Sequence, residues 1–294
     1  MPLANQAYVA HVLTRLGRRR RPRVLYHYTS GSGLLGIVES KSIWATSVRY
    51  LNDSAEYALA VAAAEMILDH RASMARTPFK MGIYRVLKDS LKQGHETEVF
   101  VSSFSQNADQ LSQWRGYCPA ANGDSIGFTP AVLIMSNHEL SYLAPCVYEE
   151  DAQYKLIESV IDDVVDFAVQ FDRELPEHID RVLRETFKLF EKLFPIVAPV
   201  VKDRRFEEER EWRLVSLASE FNPTETKVRA ARSMLIPYID HKLALDGERL
   251  QLSEIIVGPT PHAKLAKQSV ELLMEKHQVK NAVIRNSEIP YRDW

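Results

Sequence analysis

A chain of 294 residues, 46% apolar and 26% charged, has the balance of an ordinary globular protein, which excludes global disorder. Its length permits one elaborated core or two small ones, and a net charge of −2 argues against a surface given over to nucleic acid. No run approaches the roughly 20 apolar residues needed to span a bilayer. Residues 2–17 read as a leading helix that runs into six arginines, Arg15, Arg18, Arg19, Arg20, Arg21 and Arg23. Held on one face, these would contact phosphates, with Arg18, Arg19, Arg20 and Arg21 at the centre of the cluster. A solvated basic arm over residues 1–23 is the alternative, and no interleaved aromatics supply base stacking.

Residues 24–28, Val-Leu-Tyr-His-Tyr, form the first expected strand. Ser32 then offers an N-cap for the helix around Leu34 to Val38, and residues 43–46 make a second short strand. Asn52, Asp53 and Ser54 supply capping oxygens for an alanine-rich helix over residues 55–70. A weaker helix over 80–92 precedes strand character at 98–104, 125–128 and 144–148. Helical patterns at 150–171 and 177–193 interrupt the strands and resemble an inserted helical hairpin over 150–193. Strands return at 211–215, 234–238 and 255–257, and a helix at 262–277 and a strand at 282–284 close the chain. No repeat or flexible linker divides it, so the expectation is one α+β domain over residues 1–294.

Nothing at the N-terminus reads as an apolar run with a small-residue cleavage site, so the chain is expected to be cytoplasmic, with Cys118 and Cys146 as two buried, reduced thiols. The sequence contains no P-loop, no GxGxxG after a strand, no GxSxG elbow, no HExxH and no paired CxxC. The nine histidines are scattered, and none lies four residues from another, so no metal site is expected.

Polar residues at strand ends and turns remain as candidates. Tyr26, His27, Tyr28, Thr29 and Ser30 lie on a strand that breaks into a helix cap, although a lone strand histidine is usually structural. Asn52, Asp53 and Glu56 open the alanine-rich helix and are equally explained as caps and dipole partners. Ser103 and Ser105 end a strand and could orient a sugar or amide, while Trp114 and Tyr117 could wall a pocket for a flat ring or belong to the core. If Glu211, Trp212 and Arg213 are extended, Glu209, Glu211 and Arg213 share one face and Trp212 points into the core. That arrangement makes a carboxylate pair, and the alternative is a solvated charge run.

In this order the segments resemble a bacterial family labelled domain of unknown function 2971. The resemblance rests on Tyr26 to Ser30 (YHYTS), Leu51 to Glu56 (LNDxxE), Ser103 to Ser105 with Trp114 and Tyr117 (SFS, WxxY), and Glu209 to Arg213 (ExEWR), with Ser287 to Arg292 as a closing SxIPYR. More distantly, a histidine on an early strand, a serine element on a middle strand and a glutamate on a late strand resemble the ADP-ribosyltransferase triad. That resemblance implies a split mixed or antiparallel sheet with flanking helices and an extended cleft for NAD. By the same resemblance, His27 binds the nicotinamide-side ribose with Thr29 beside it, and Ser103 and Ser105 shape the nicotinamide pocket with Trp114 or Tyr117. Tyr26, Tyr28 and Asn52 complete the cofactor-binding set. Glu211 holds the ribose hydroxyl, Glu209 helps to activate the acceptor, and Arg213 holds a pyrophosphate oxygen or orients the carboxylates.

The implied function is an ADP-ribosyltransferase, in toxin action or phage defence, with NAD as substrate, a nucleic acid or protein as acceptor and no membrane partner. A hydrolase of NAD or another nucleotide, or a nucleotide-binding regulatory module without turnover, is the alternative.

Overall fold

Runs rich in β-branched and aromatic residues form the strands, and the amphipathic runs between them form the helices. The computed structural model describes residues 2–17, 19–50, 54–93, 98–119, 122–134, 141–174, 178–218, 224–231, 233–245, 247–279 and 282–290. Helix α1 (Pro2–Leu16) leads into strand β1 (Leu25–Ser30), helix α2 (Gly31–Ser40) and strand β2 (Ser42–Ser47). Helices α3 (Ser54–Met74) and α4 (Pro78–Gln93) follow, then β3 (Glu98–Ser105), α5 (Leu111–Tyr117), β4 (Gly123–Phe128), α6 (Pro130–Ile134) and β5 (Ser141–Pro145). Two long helices, α7 (Glu150–Glu174) and α8 (Ile179–Val197), precede β6 (Glu211–Ala218), β7 (Lys227–Ala230) and β8 (Leu235–Lys242). The chain closes with β9 (Glu254–Val257), α9 (Ala263–Lys276) and β10 (Val283–Asn286). This is a mixed α+β fold, and among the described residues no helix is long and apolar enough to cross a membrane.

The strands make one sheet in the order β10-β9-β4-β1-β3-β2-β8-β7, with β6 on β3 and β5 on β6. Among the described residues only β9 and β10 pair in parallel; the remaining strand pairs are antiparallel. Helices α7 and α8 sit between two strands that pair with each other, β5 and β6, and pack together in one apolar cluster with α1, α3 and α4. In α8 the buried positions Val182, Leu189, Phe190, Leu193, Phe194 and Val197 recur at helical spacing and give that face its place in the cluster. A second cluster covers the other face of the sheet, where Leu34 and Val38 of α2, Leu133 of α6 and Val270 of α9 meet Phe104, Ile126 and Trp212. Strand β3 is buried on both faces, although four of its eight residues, Glu98, Ser102, Ser103 and Ser105, are polar.

Some elements begin elsewhere than the sequence suggests. Ser30 rather than Ser32 caps α2: its backbone is extended, its hydroxyl accepts from the Gly33 N–H at 3.1 Å, and Ser32 lies inside the first turn. The strand expected at 144–148 is Ser141–Pro145, because Cys146 turns its N–H to the Glu211 carbonyl and Val147 bridges to Val201. Cys146 is buried, but Cys118 is only half-buried and donates to the Thr29 carbonyl at 3.3 Å. The caps expected at Asn52 and Asp53 lie outside the described residues, as does Arg18.

One topological detail positions the site. Strand β6 occupies one edge of β3 along its whole length, Glu98↔Ala218 to Ser105↔Glu211. Its other edge is divided: β2 takes Phe100 and Val101, and β1 takes only Ser105, opposite Tyr26. Among the described residues, Ser102, Ser103 and Phe104 have no strand partner on that side. The sheet is split there, and the unpaired carbonyl has to be satisfied another way.

Candidate functional site

His27 satisfies it. Its Nδ1–H donates to the Ser103 carbonyl at 2.9 Å, which bridges the split with a side chain where a ladder bond would otherwise run. Because a carbonyl only accepts, Nδ1 carries the proton, and Nε2 of the neutral ring is left as an acceptor. Burial pushes the His27 pKa below its ordinary 6.5, and the Ser103 carbonyl opposes this only in part, so the ring is neutral at pH 7.

Around this seam lies a cleft of about 330 Å³ of atom-free space, open to solvent on one side. The structure brings Tyr26, His27, Tyr28, Ser103, Ser105, Tyr117, Glu209 and Glu211 to its wall, residues up to 185 apart in sequence between Tyr26 and Glu211 (211 − 26). Tyr26 donates to Glu254 at 3.0 Å, and burial together with that carboxylate pushes its phenol up to about 12. Tyr28 donates to the Asn107 carbonyl at 2.8 Å and accepts from the Gln110 N–H at 3.1 Å, which fixes the entry to α5. Both tyrosines are therefore neutral groups at physiological pH.

The carboxylates stand at the base. Glu211 opens β6 opposite Ser105 and is 5% exposed. Its Oε1 accepts from Arg213 Nε at 2.8 Å, and its Oε2 accepts from Lys202, which also donates to Glu209 at 2.6 Å. Burial alone would raise the Glu211 pKa, but the Arg213 and Lys202 charges override it and hold the carboxyl at about 2. Lys202 is 1% exposed, so four formal charges of zero sum occupy the floor of the cleft.

Glu209 does not lie on the strand with Glu211. Residues Arg204–Glu209 form a 3-10 turn, and Arg210 takes a left-handed conformation, φ 44, before β6 begins. Polar side chains from the β3–α5 loop pin that turn: Ser105 donates to the Glu209 carbonyl at 2.7 Å, and Asn107 and Gln110 donate to the Glu208 carbonyl at 3.1 and 3.0 Å. Lys202, rather than strand pleat, is what brings the two carboxylates together.

Several sequence-predicted residues are placed elsewhere. Arg213 is 4% exposed, with Nη1 spent on the Pro199 carbonyl at 2.6 Å, so it orients Glu211 and presents nothing to a ligand in the cleft. Trp114 is buried against Tyr28 and Ile256 with its indole N–H on Asp109 at 2.7 Å, beneath the cleft and not on its wall. Thr29 lies off the cleft, where its hydroxyl packs over Gly33. The Ser105 hydroxyl is occupied by the Glu209 carbonyl and the Asn107 N–H. Asn52 and Asp53 lie outside the described residues. Of the basic arm, Arg19, Arg20 and Arg21 are exposed, whereas Arg15 is committed to Asp163 at 2.7 Å.

Gln113 and Lys202 were not singled out by sequence reasoning. Gln113 is 6% exposed, lines the cleft, and has no hydrogen-bond partner for its carboxamide among the described residues. Its spacing of four from Tyr117 places both on one face of α5, a signal that was present. Among the described residues no group of His, Cys, Asp and Glu is arranged to hold a metal ion.

A family model, Protein of unknown function (DUF2971), matches residues 113–214. It supports the DUF2971 resemblance. No curated protein and no solved structure matches the chain. The DUF2971 match runs from Gln113 on α5 to Leu214 in β6, so it takes in Gln113, Tyr117, Glu209 and Glu211 of the cleft wall, together with Lys202 and Arg213 that hold the two carboxylates. The β1 and β3 walls, His27, Ser103 and Ser105 among them, lie outside the matched range.

Proposed function

We propose that the seam cleft binds the nicotinamide–ribose end of NAD and breaks the bond between them, transferring ADP-ribose to an acceptor. The observation that carries this reading is that a neutral histidine, an unpartnered amide and an ionised glutamate converge on one cleft at a split in the sheet. The cleft is small and open on one side, so only the nicotinamide–ribose end would enter it, and the remainder of the dinucleotide would lie across the open side.

The chemistry matches the parts. As the C1′–N1 bond breaks, its electron pair goes to nicotinamide and neutralises the pyridinium, and positive charge develops on the ribosyl C1′ and ring oxygen. Glu211 stays ionised far below neutral pH and stabilises that charge more in the transition state than in the ground state. His27 Nε2 accepts from a ribose hydroxyl, and the Gln113 carboxamide pairs with the nicotinamide carboxamide. The acceptor nucleophile then bonds to C1′ and loses its proton, for which Glu209 is the nearest base. Arg21, five residues before Tyr26, and the exposed Arg19 and Arg20 favour a phosphate-bearing acceptor, a nucleic acid before a protein, as a toxin or phage-defence effector would use.

Adenine-labelled NAD, incubated with the chain and a cell extract, tests the reading. Nicotinamide release with a labelled macromolecule is the expected result, and free ADP-ribose alone would mean hydrolysis. Glu211→Gln should lower turnover by about 100-fold or more. Folded protein that neither binds NAD nor releases nicotinamide ends the proposal. One observation favours a second reading, a nucleotide-binding module without turnover: both carboxylates are already engaged by Lys202 and Arg213. NAD binding that leaves the nucleotide intact and is unchanged in Glu209→Gln and Glu211→Gln would select it.

A further inference from the structure

Away from the seam, a second cleft holds about 620 Å³ of atom-free space between the first turn of α2, helix α9 and the ends of β4 and β9. Asp124 lines it and is only 5% exposed. In the sheet it stands opposite Thr29 of β1 and Val257 of β9, and Val257 belongs to the apolar core beneath α2 and α9. Its side chain therefore points to that layer, away from the face of Tyr26 and Tyr28.

A buried carboxylate is ordinarily found with a donor. The other buried acids among the described residues obey this: Glu98 takes Arg49 at 3.2 Å, Asp163 takes Arg15 at 2.7 Å, Glu191 takes the Ser90 hydroxyl, and Glu211 takes Arg213 and Lys202. Asp124 is the exception, since among the described residues no N–H, hydroxyl or cation donates to its carboxylate, and burial pushes its pKa up to about 7. A group left in that condition beside open space is complementary to something that brings the missing positive charge.

The rest of the wall narrows what that is. Leu34, Val270 and Leu273 make one side apolar, and the polar groups beside Asp124 are the neutral Asn122, Thr260 and Ser269. A single carboxylate supplies too few anionic oxygens for a divalent cation, which gathers several. An apolar body carrying one charged nitrogen fits both walls. We infer that this cleft is a second binding site, for a small organic cation whose ammonium or amidinium group pairs with Asp124. Helices α2 and α9 and strand β9 present no titratable side chain to the cleft; Cys118, whose thiol is pushed up to about 12 by burial and by Asp124, packs with Tyr28 and Trp114 and is not part of the cleft wall.

The test uses the full chain, labelled with carbon-13 at aspartate carboxyls, and benzamidinium as probe, with benzamide as the neutral control and benzoate as the anionic one. The Asp124 resonance, assigned from Asp124→Asn, should titrate near neutrality in the free protein, and saturating benzamidinium should lower that midpoint by about one pH unit or more. Benzamidinium affinity should rise about tenfold per pH unit up to that midpoint and then level, because only the ionised carboxylate pairs with it. Benzamide and benzoate should show no such rise, and Asp124→Asn should weaken benzamidinium about tenfold or more at high pH. The inference is overturned if benzamidinium up to about 10 mM leaves the Asp124 signal unmoved, or if its affinity is independent of pH. Equal binding of benzamide would overturn it too. The wild-type pH profile decides the matter even if Asp124→Asn does not fold.

Discussion

Lys202→Met is the substitution that most directly probes the floor of the seam cleft. Methionine keeps most of the buried stem, so the loss is chiefly of the charge that Glu209 and Glu211 share. A carboxyl held at about 2, against an ordinary 4.5, contributes roughly 3 kcal/mol of stability at neutral pH. Arg213 supplies the larger part of this for Glu211, and Lys202 supplies the remainder along with the partner of Glu209. Leaving buried charge uncompensated costs about 3–5 kcal/mol, and the retained Arg213 places this variant at the lower end, about 3 kcal/mol. The midpoint of thermal unfolding should fall by roughly 6 °C. The pH dependence follows from the sign: a depressed carboxyl stabilises above its unfolded value and loses that contribution as pH falls from about 4.5 toward 2. The gap between wild type and variant in urea unfolding should therefore be widest near pH 7 and close below about pH 4.5. Adding Glu209→Gln to the variant should restore about 1 kcal/mol. A gap under about 1 kcal/mol at neutral pH, or one that does not narrow in acid, would refute the reasoning.

Three other changes probe separate links. Ser30→Ala removes the acceptor for Gly33 N–H and should cost about 1 kcal/mol in thermal unfolding, against a few tenths for Ser32→Ala. His27→Phe strands the Ser103 carbonyl at the split and should cost roughly 1–3 kcal/mol. Because the folded histidine stays neutral below its ordinary 6.5, the unfolded chain takes up the proton first, and wild-type stability should decline as pH falls below about 6.5 more steeply than the variant's. Gln113→Ala should weaken nicotinamide binding about tenfold by calorimetry with little change in stability; unchanged affinity would remove the amide from the recognition scheme.

The strands of the inner sheet were legible because Val24 to Tyr28 and Glu98 to Phe104 are dense in residues that fit a pleated surface. Helix α5 was not, since its seven residues hold too few apolar positions to display a period, and the four residues of β7 form a mostly exposed edge. The face that Glu209 was expected to share with Glu211 and Arg213 does not form, because nothing in Glu-Arg-Glu announces that Arg210 turns left-handed; side chains from the loop after β3 hold that turn. Lys202 gave no signal, as a lone lysine reads as solvated, and its burial follows from the bridge of Val201 to Val147 and the turn behind it. The structure puts Tyr26, His27, Ser103, Glu209 and Glu211 on one cleft wall, and what the sequence did not show is which side chains are consumed in holding one another.

The divided edge of β3 has a mechanical consequence. Separating β3 from β6 would break eight cross-strand pairs, whereas parting it from β1 breaks the Tyr26–Ser105 pair and the imidazole contact to Ser103, roughly 1 kcal/mol apiece. The two wings of the sheet thus share a backbone pairing one residue pair wide, backed by the apolar cluster in which Leu25 and Ile126 of one wing meet Phe104 and Trp212 of the other. A molecule lodged there and bonded to both wings would act as a clasp, stiffening a region far larger than its own footprint.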